Sequence, residues 1–356
     1  MTTAMRYFRW AFAVTALGIV LAGWLGWVTH GTLSGVIAFL VIGVVLAALE
    51  ISLSFDNAIV NANRLKTMSP VWQQRFLTWG ILIAVFGMRI VFPLAVVAFA
   101  ARLGPLAAVE LAAVKPQEYA RIMNEAHLSI AAFGGAFLMM VALNYFIDEG
   151  KEVHWIHALE TRLRRLAPIR GMQITVVLVV LLAFASRLPE AKKAEFLFAG
   201  LLGLVVFTVV EIASHLLDSR DRALAAAGRS GLGGFLYLEV LDASFSFDGV
   251  IGAFALTQNL FLIAIGLGVG AMYVRSMTIM LVERQTLTQF RFLEHGAFYS
   301  IFALALIMFA QSMVHIPELV TGFIGAGLIG TALWSSVCWN RRNGAALSGR
   351  PETAGE

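Results

Sequence analysis

Acidic side chains occur twice inside long apolar runs of this chain, with the same spacing in both places. Glu50 and Asp56 lie six residues apart in the run LEISLSFDNAIVNANRL, and Asp242 and Asp248 lie six apart in LDASFSFDGVIGA. An offset of 192 residues superimposes the two pairs and their SFD triplets. An ionised side chain at the centre of a membrane helix costs roughly 2.5–3.5 kcal/mol. The repetition of that cost favours a functional role for these acids.

The polar residues around the acids carry oxygen atoms that suit a hard cation. On an ideal helix Glu50, Ser54, Asn57 and Asn61 share one stripe, whereas Asp56 lies about 120° round from Glu50. If all the acids face one cavity, each helix must unwind near its SFD triplet, which also frees backbone carbonyls. Carboxylate, amide and carbonyl oxygens suit magnesium, calcium or manganese. The lack of buried thiolates and of a histidine cluster disfavours zinc and copper.

Two arginines also lie within apolar segments, Arg89 in the third predicted span and Arg275 in the eighth. Arg89 and Arg275 can neutralise two of six carboxylates, which are Glu50, Asp56, Glu211, Glu239, Asp242 and Asp248. The other four must be protonated, solvated or matched by a bound cation. The structural alternative, in which the aspartates only form buried ion pairs, lacks enough arginines.

The composition indicates a multi-pass membrane protein. Of 356 residues, 59% are hydrophobic and 13% charged, and the mean hydropathy is +0.81. Soluble domains contain about a quarter charged residues. The basic residues are scattered through loops, so no nucleic-acid-binding patch is predicted. Cys338 is the only cysteine, which excludes a disulfide framework and a thiolate metal site within the chain.

The apolar segments predict an all-α protein with ten transmembrane helices. A span needs roughly 20 apolar residues, and ten segments approach or meet this length: 9–28, 35–61, 77–101, 127–147, 172–188, 194–217, 234–256, 259–282, 296–314 and 318–337. The first is predicted to be a retained helix and not a cleaved signal peptide. With the N-terminus inside, the inner loops hold 18 Lys and Arg and the outer loops hold 6. This bias predicts that both termini are cytoplasmic.

The positions of the two motifs predict two inverted repeats of five helices. The first repeat is 1–188, the second is 194–337, and 338–356 is a polar tail. An odd number of spans per repeat places the repeats in opposite orientations, with the acids near the midplane, as in many secondary transporters.

The segments outside the predicted spans are interpreted as ancillary. Residues 102–126 are predicted to be a partly helical connection on the outer face. Residues 149–166 are predicted to form an amphipathic cytoplasmic helix with an apolar stripe, and the ligand-like set His154, His157 and Glu160 is assigned to its solvated face. Asn63 and Asn144 are interpreted as cross-helix hydrogen-bonding residues. Glu211 and His215 are assigned to a surface-facing pair at the inner end of helix six, and are kept as secondary ligand candidates.

The run Leu-Glu-x-x-Leu-Ser-x-Asp-Asn-Ala at 49–58 resembles the first signature of the TerC/Alx family of bacterial membrane proteins. The SFD triplets and the HGAFY stretch at 295–299 resemble more closely a related bacterial membrane family catalogued as a domain of unknown function. The motifs cover about a third of the chain. The TerC resemblance implies metal-ion homeostasis, notably manganese export. The sequence departs from the usual second signature, Asp-Ser with a following proline, because it has Asp248-Gly249-Val250.

The resemblance implies ion-site roles for Glu50, Asp56, Asn57, Asp242 and Asp248. Asp56 and Asp248 are expected to be primary ligands, Glu50 and Asp242 ligands or proton carriers, and Asn57 a neutral ligand. Glu239 is added because it can compensate for the missing hydroxyl. Charge balance is assigned to Arg89 and Arg275, and the secondary candidates are Ser54, Ser246, Asn61, Glu211 and His215.

These interpretations combine into a function. The chain is expected to be a multi-pass protein of the bacterial inner membrane that exports a divalent cation as its substrate. Manganese is the first expectation, and calcium and magnesium are alternatives. Membrane lipid and the metal ion are the expected partners, and a homo-oligomer is compatible with the sequence. One rival hypothesis is an assembly or scaffolding protein in metal or stress homeostasis. The other, an intramembrane hydrolase, lacks the HExxH, GxSxG and GxGD motifs, so no enzyme activity is expected.

Overall fold

The structure, a computed structural model, describes residues 3–66, 68–148, 151, 153–165, 168–169, 171–224, 231–284, 286–314 and 316–348. Every regular element within these ranges is a helix, and no strand occurs among them. The α-helices are α1 (Thr3–His30), α2 (Leu33–Leu53), α3 (Phe55–Leu65), α4 (Pro70–Leu82), α5 (Phe92–Ala100), α6 (Pro105–Val114), α7 (Pro116–Glu125), α8 (His127–Phe146), α9 (His157–Arg164), α10 (Met172–Ala185), α11 (Glu190–Leu224), α12 (Leu232–Leu256), α13 (Leu260–Glu283), α14 (Thr286–Gln289), α15 (Leu293–Gln311) and α16 (Glu318–Ser348).

Seven of these helices are long and apolar enough to cross a membrane: those at Tyr7–His30, Leu33–Leu53, His127–Phe146, Glu190–Ser214, Leu260–Glu283, Leu293–Gln311 and Val320–Arg342. The pair Phe86–Ala100 and Pro105–Val114, bent by 103°, would make an eighth span. Helix α10 is apolar but only 14 residues long. Helix α12 has enough length, but Glu239, Asp242 and Asp248 make it more acidic than an ordinary span. The chain is therefore a multi-pass helical membrane protein.

A local interruption separates α2 from α3 at the first SFD triplet. Ser54 has φ −104° and ψ 14°, and its backbone N–H still bonds to the Glu50 carbonyl before the chain turns into α3. The distortion predicted for this triplet is confirmed. The corresponding prediction for the second triplet is wrong, because α12 continues without a break from Leu232 to Leu256. No proline follows Asp248, so nothing in the sequence removes a backbone hydrogen bond there.

A π-helical segment, Ile83–Val91, joins α4 to α5. Pro93 begins the next turn, and proline disfavours the ordinary position of the carbonyl four residues before it. The Phe92 N–H bonds instead to the carbonyl of Gly87, five residues back. The wider turn carries Arg89, and π-helical turns are frequent at functional sites.

Close packing between helices brings the acidic motif against α13. A Cβ atom at Gly270 would lie 2.6 Å from the Cβ of Glu50 and 2.7 Å from the carbonyl oxygen of Ala47. Only glycine permits this approach of the α2 and α13 backbones. Helix α8 is largely buried and contacts both α11 and α15, which forms the larger apolar core. These contacts hold α2, α3, α12, α13 and α15 around the buried polar side chains.

The segments predicted to lie outside the membrane spans contain short helices, and their observed structure agrees with the prediction only in part. The predicted connection 102–126 contains α6 and α7. Of the described residues in the predicted amphipathic helix 149–166, only those of α9 are helical. Leu166 lies outside the described residues. The assignment of Glu160 to a solvated face is wrong, since its side chain is fully buried. It accepts hydrogen bonds from α15 and from the chain before α9.

Candidate functional site

Glu50 and Arg89 form a buried ion pair beside the break between α2 and α3. The Arg89 guanidinium donates to Oε1 of Glu50, and both side chains are at most 6% exposed. The hydroxyl of Ser54 donates to the same carboxylate oxygen at 2.9 Å. The carboxylate of Glu50 is therefore balanced by a positive charge within the chain.

Asp242 and Arg275 form a second, looser pair on α12 and α13. Nη1 of Arg275 lies 3.8 Å from Oδ2 of Asp242, and Asn61 donates a 2.7 Å hydrogen bond to Oδ1. The Arg275 guanidinium also donates to the Phe76 carbonyl and stands 3.7 Å from the centre of the Phe76 ring. Because Arg275 divides its interactions among three groups, Asp242 is less fully neutralised than Glu50.

Asp56 is held by neutral donors. It lies in the first turn of α3 and is 5% exposed. The Ser300 hydroxyl donates to Oδ2 and the Asn57 backbone N–H donates to Oδ1, each at 2.8 Å. Among the described residues no basic side chain forms an ion pair with Asp56. The helix N-terminus supplies partial positive charge, but the full charge of a counter-ion is missing.

A small cavity of about 20 Å³ adjoins Asp56. It is lined by α15 and α16, by α12 at Phe245 and Gly249, and by the end of α2. Ser300 and Thr321 line it together with Asp56. Oγ1 of Thr321 is buried and forms no hydrogen bond with any residue that the structure describes. A Cβ atom at Gly249 would lie 3.3 Å from Oε2 of Glu50. Gly249 therefore lies between the Glu50 carboxylate and this cavity.

Further buried side-chain oxygen atoms lie on α3 and α12, the helices that carry Asp56 and Asp242. Oδ1 of Asn57 and Oδ1 of Asn61 are buried and accept no hydrogen bond in the described part of the chain. Both carboxylate oxygens of Glu239 are in the same condition. Oxygens of this kind are costly to bury without a partner, so they mark places where a water, proton or cation would be stabilised.

The remaining predicted ligands have different positions. Glu211 accepts a 2.7 Å hydrogen bond from Asn144 of α8. Asn63 donates a 2.6 Å hydrogen bond to Glu294. Both asparagines therefore bond across helices. The side chains of Asp248, Ser246 and His215 lie outside the described residues.

The described acids form three neighbouring centres, at Glu50, Asp56 and Asp242. Within the ranges that the structure describes, no three His, Cys, Asp or Glu side chains converge closely enough to hold a metal ion. At two of the three centres, Glu50 and Asp242, an arginine lies beside the carboxylate, where a metal ion would otherwise bind. A cation site in this arrangement must therefore draw on hydroxyl and amide oxygens as well as carboxylates.

Ser300 and Thr321 are the site residues that sequence reasoning missed. Each is a hydroxyl in an apolar helix, far from either motif, and such residues usually bond within their own helix. The one available signal was their neighbourhood: Ser300 directly follows the HGAFY stretch, and Thr321 begins the glycine-rich run TGFIGAGLIG.

A second polar cluster surrounds Glu160, at the end of the bundle where α9 packs. The carboxylate accepts hydrogen bonds from the Ile156 N–H at 3.1 Å and the Tyr299 hydroxyl at 3.1 Å, and Nζ of Lys151 lies 2.9 Å from Oε2. Ring nitrogens of His154 and His295 lie 3.4 and 3.5 Å from Oε2. Burial raises the pKa of Glu160, but the Lys151 and backbone hydrogen bonds outweigh it and hold the pKa below its ordinary value of 4.5. The cluster joins α9 to α15.

Comparison with known proteins identifies the family. The family described as "Protein of unknown function (DUF475)" matches residues 55–343, and the chain belongs to that family. The match begins at Phe55, so it includes Asp56, Asp242, Asp248, Ser300 and Thr321. No curated protein and no solved structure matches the chain.

Proposed function

We propose that this DUF475 member transports divalent cations across the bacterial inner membrane, with manganese export as the leading assignment. The proposal follows the TerC-like signature at 49–58 for the ion and the buried oxygen atoms for the chemistry. The substrate is the metal ion itself. Calcium and magnesium bind the same class of oxygen ligand and are the alternatives.

The observation that carries the proposal is the state of Asp56. It is a buried carboxylate within a membrane protein, beside a helix break and a cavity, with neutral hydrogen-bond donors and no ion pair among the described residues. An unbalanced ionised side chain in a span costs roughly 2.5–3.5 kcal/mol. A bound cation removes that cost, whereas Glu50 already has Arg89 beside it.

The proposed architecture is ten spans in two inverted repeats of five, with both termini cytoplasmic. All ten predicted apolar segments coincide with helices, counting α2 with α3 and α4 with α5 as single spans. In this arrangement α3 belongs to the first repeat and α12 to the second. The Asn61–Asp242 hydrogen bond then crosses the interface between the repeats, where substrate sites of such transporters lie.

The proposed roles of the other residues follow from their partners. Asp56 and Asp248 are the primary ligands, and the amide oxygen of Asn57 is a neutral one. Asp242 is a ligand or proton carrier, because Arg275 at 3.8 Å neutralises it only in part. Arg89 and Arg275 keep the site electrostatically balanced when the ion has left. Rocking of one repeat against the other would expose the site alternately to the two sides.

The rival assignment is an assembly or scaffolding protein, in which buried charges pair with helices of a partner. Glu50 and Asp242 have arginine partners inside this chain, so their charges do not require a partner protein. We therefore favour transport.

Flux in proteoliposomes tests the proposal. Purified protein is reconstituted, and uptake of Mn²⁺, Ca²⁺ and Mg²⁺ is measured against protein-free vesicles. Mn²⁺ flux above that background is the expected result. Correctly folded protein that carries none of the three ions would remove the transport assignment and favour assembly.

A further inference from the structure

The cavity beside Asp56 has room for about one water molecule or one ion. Its volume is about 20 Å³, and a single water needs roughly 10–15 Å³ on the same measure. A divalent cation that keeps six waters cannot enter such a space. A hydrated ion fits instead in an open pocket of about 680 Å³ at the C-terminal end of α15, which Gln258 and Gln311 help to line. The two volumes mean that a cation reaching Asp56 has lost most of its water.

Side chains with oxygen atoms from four helices line this cavity, and one of them is Ser52 of α2. Asp56 comes from α3, Ser300 from α15 and Thr321 from α16. Ser300 already bonds to Asp56, whereas the hydroxyl of Thr321, a residue only 6% exposed, has no hydrogen-bond partner among the described residues. A buried hydroxyl without a partner calls for a ligand or a water at that position. The donor set of one carboxylate and two hydroxyls is chemically suited to a hard cation.

Glycines of α16 bring this helix against the cavity. A Cβ atom at Gly325 would lie 2.7 Å from Oγ of Ser300, and one at Gly322 would lie 3.1 Å from Oγ of Ser52. The same helix has Gly327 and Gly330, at which an added Cβ would meet nothing within 4 Å. The glycines that face the cavity are therefore the ones that the close approach requires.

We propose that Asp56, Ser300 and Thr321 form a binding site for one largely dehydrated divalent cation, and that α16 completes this site. The proposal rests on the transport function and names the physical class of its substrate. Magnesium gives up its water reluctantly and usually keeps several water ligands in proteins. The site therefore selects manganese- or calcium-like ions over magnesium, because hydroxyl oxygens must replace the waters that are lost.

The test measures binding and flux separately in reconstituted full-length protein. Mn²⁺ binding is measured by electron paramagnetic resonance and Mn²⁺ flux by uptake, for wild type, Thr321→Val and Thr321→Ser. Valine keeps the shape of threonine without the hydroxyl, and serine keeps the hydroxyl. Thr331→Val is the matched control, since Thr331 lies on the same helix, is exposed and bonds to its own helix at Gly327.

The expected result is that Thr321→Val weakens Mn²⁺ binding roughly 10- to 100-fold, with serine restoring it and Thr331→Val unchanged. Mg²⁺ should compete with Mn²⁺ only weakly. Wild-type affinity in folded Thr321→Val, with Mn²⁺ flux intact, would overturn the site assignment while leaving the transport function standing. Equal competition by Mg²⁺ would overturn the dehydration argument. A wild type that neither binds nor carries any of the three ions would remove the transport function, and this proposal with it.

Discussion

Asn61 donates a 2.7 Å hydrogen bond from Nδ2 to Oδ1 of Asp242, a residue 181 positions further along the chain. The bond joins α3, which contains Asp56 of the first acidic motif, to α12, which carries the second. The helices of two motifs recognised by their identical spacing are thus in direct contact in the folded protein. Oδ1 of the same asparagine is buried and accepts no hydrogen bond from the described part of the chain, so the contact also presents an oxygen atom to the interior.

Removing one partner of the Glu50–Arg89 pair is expected to destabilise the protein more than removing both. Arg89→Gln should lower the free energy of unfolding by about 3–5 kcal/mol, because a carboxylate is left buried without its counter-charge. The double variant Glu50→Gln/Arg89→Gln should recover most of that loss. Unfolding in detergent measures the effect, with the exposed Arg187→Gln as control. A double variant as unstable as the sum of the two single variants would show that the residues act independently.

The approach of α16 to the cavity predicts a contrast between two glycines. Gly325→Ala should reduce Mn²⁺ flux about tenfold or more, because the new methyl group displaces the Ser300 hydroxyl from Asp56, a hydrogen bond to a charged group worth roughly 1.5–3 kcal/mol. Gly327→Ala adds the same methyl group to open space on the same helix. It should leave flux unchanged. Equal flux in both variants would mean that Ser300 does not have to bond to Asp56.

Glu160 is expected to hold α9 against the bundle. Glu160→Gln should speed tryptic cleavage at the exposed residues Arg162, Arg164 and Arg165, because the neutral amide leaves Lys151 buried without its partner. Because the pKa of Glu160 is lowered in the folded protein, its contribution to stability is present above pH 4.5 and is lost as the pH falls further. Glu190→Gln is the matched control, since the Glu190 side chain is 89% exposed. Cleavage of both variants at the wild-type rate would remove this role.

The helices could be predicted from the sequence to a large extent, because an apolar run long enough to span lipid has few alternatives to a helix. The two SFD triplets show where this reasoning ends. The same three residues, Ser-Phe-Asp, occur at a helix break beginning at Ser54 and within an uninterrupted helix beginning at Ser246. The difference is set by neighbouring residues and packing, which an alignment of one acidic motif on the other does not contain.

The number of buried ion pairs was easier to predict than their partners. Two arginines for six acids could be counted from the sequence, but the pairing of Arg89 with Glu50 and of Arg275 with Asp242 depends on how the helices pack. Thr321 and Glu160 were missed for the same reason. The apolar periodicity of a single helix such as α9 does not show which residues of other helices pack against it. Tyr299, which bonds to Glu160, lies 139 residues away in the chain.

The most direct test of the account is Mn²⁺ flux through reconstituted Asp56→Asn protein. The substitution keeps the shape and the ability to bond with Ser300, and it removes a buried carboxylate that forms no ion pair among the described residues. We predict that flux falls to the level of protein-free vesicles while the variant remains folded and extractable. We predict the same loss for Asp248→Asn, on the sequence pattern alone. Wild-type flux in well-folded Asp56→Asn would contradict the central claim that a cation passes through a site built on this carboxylate.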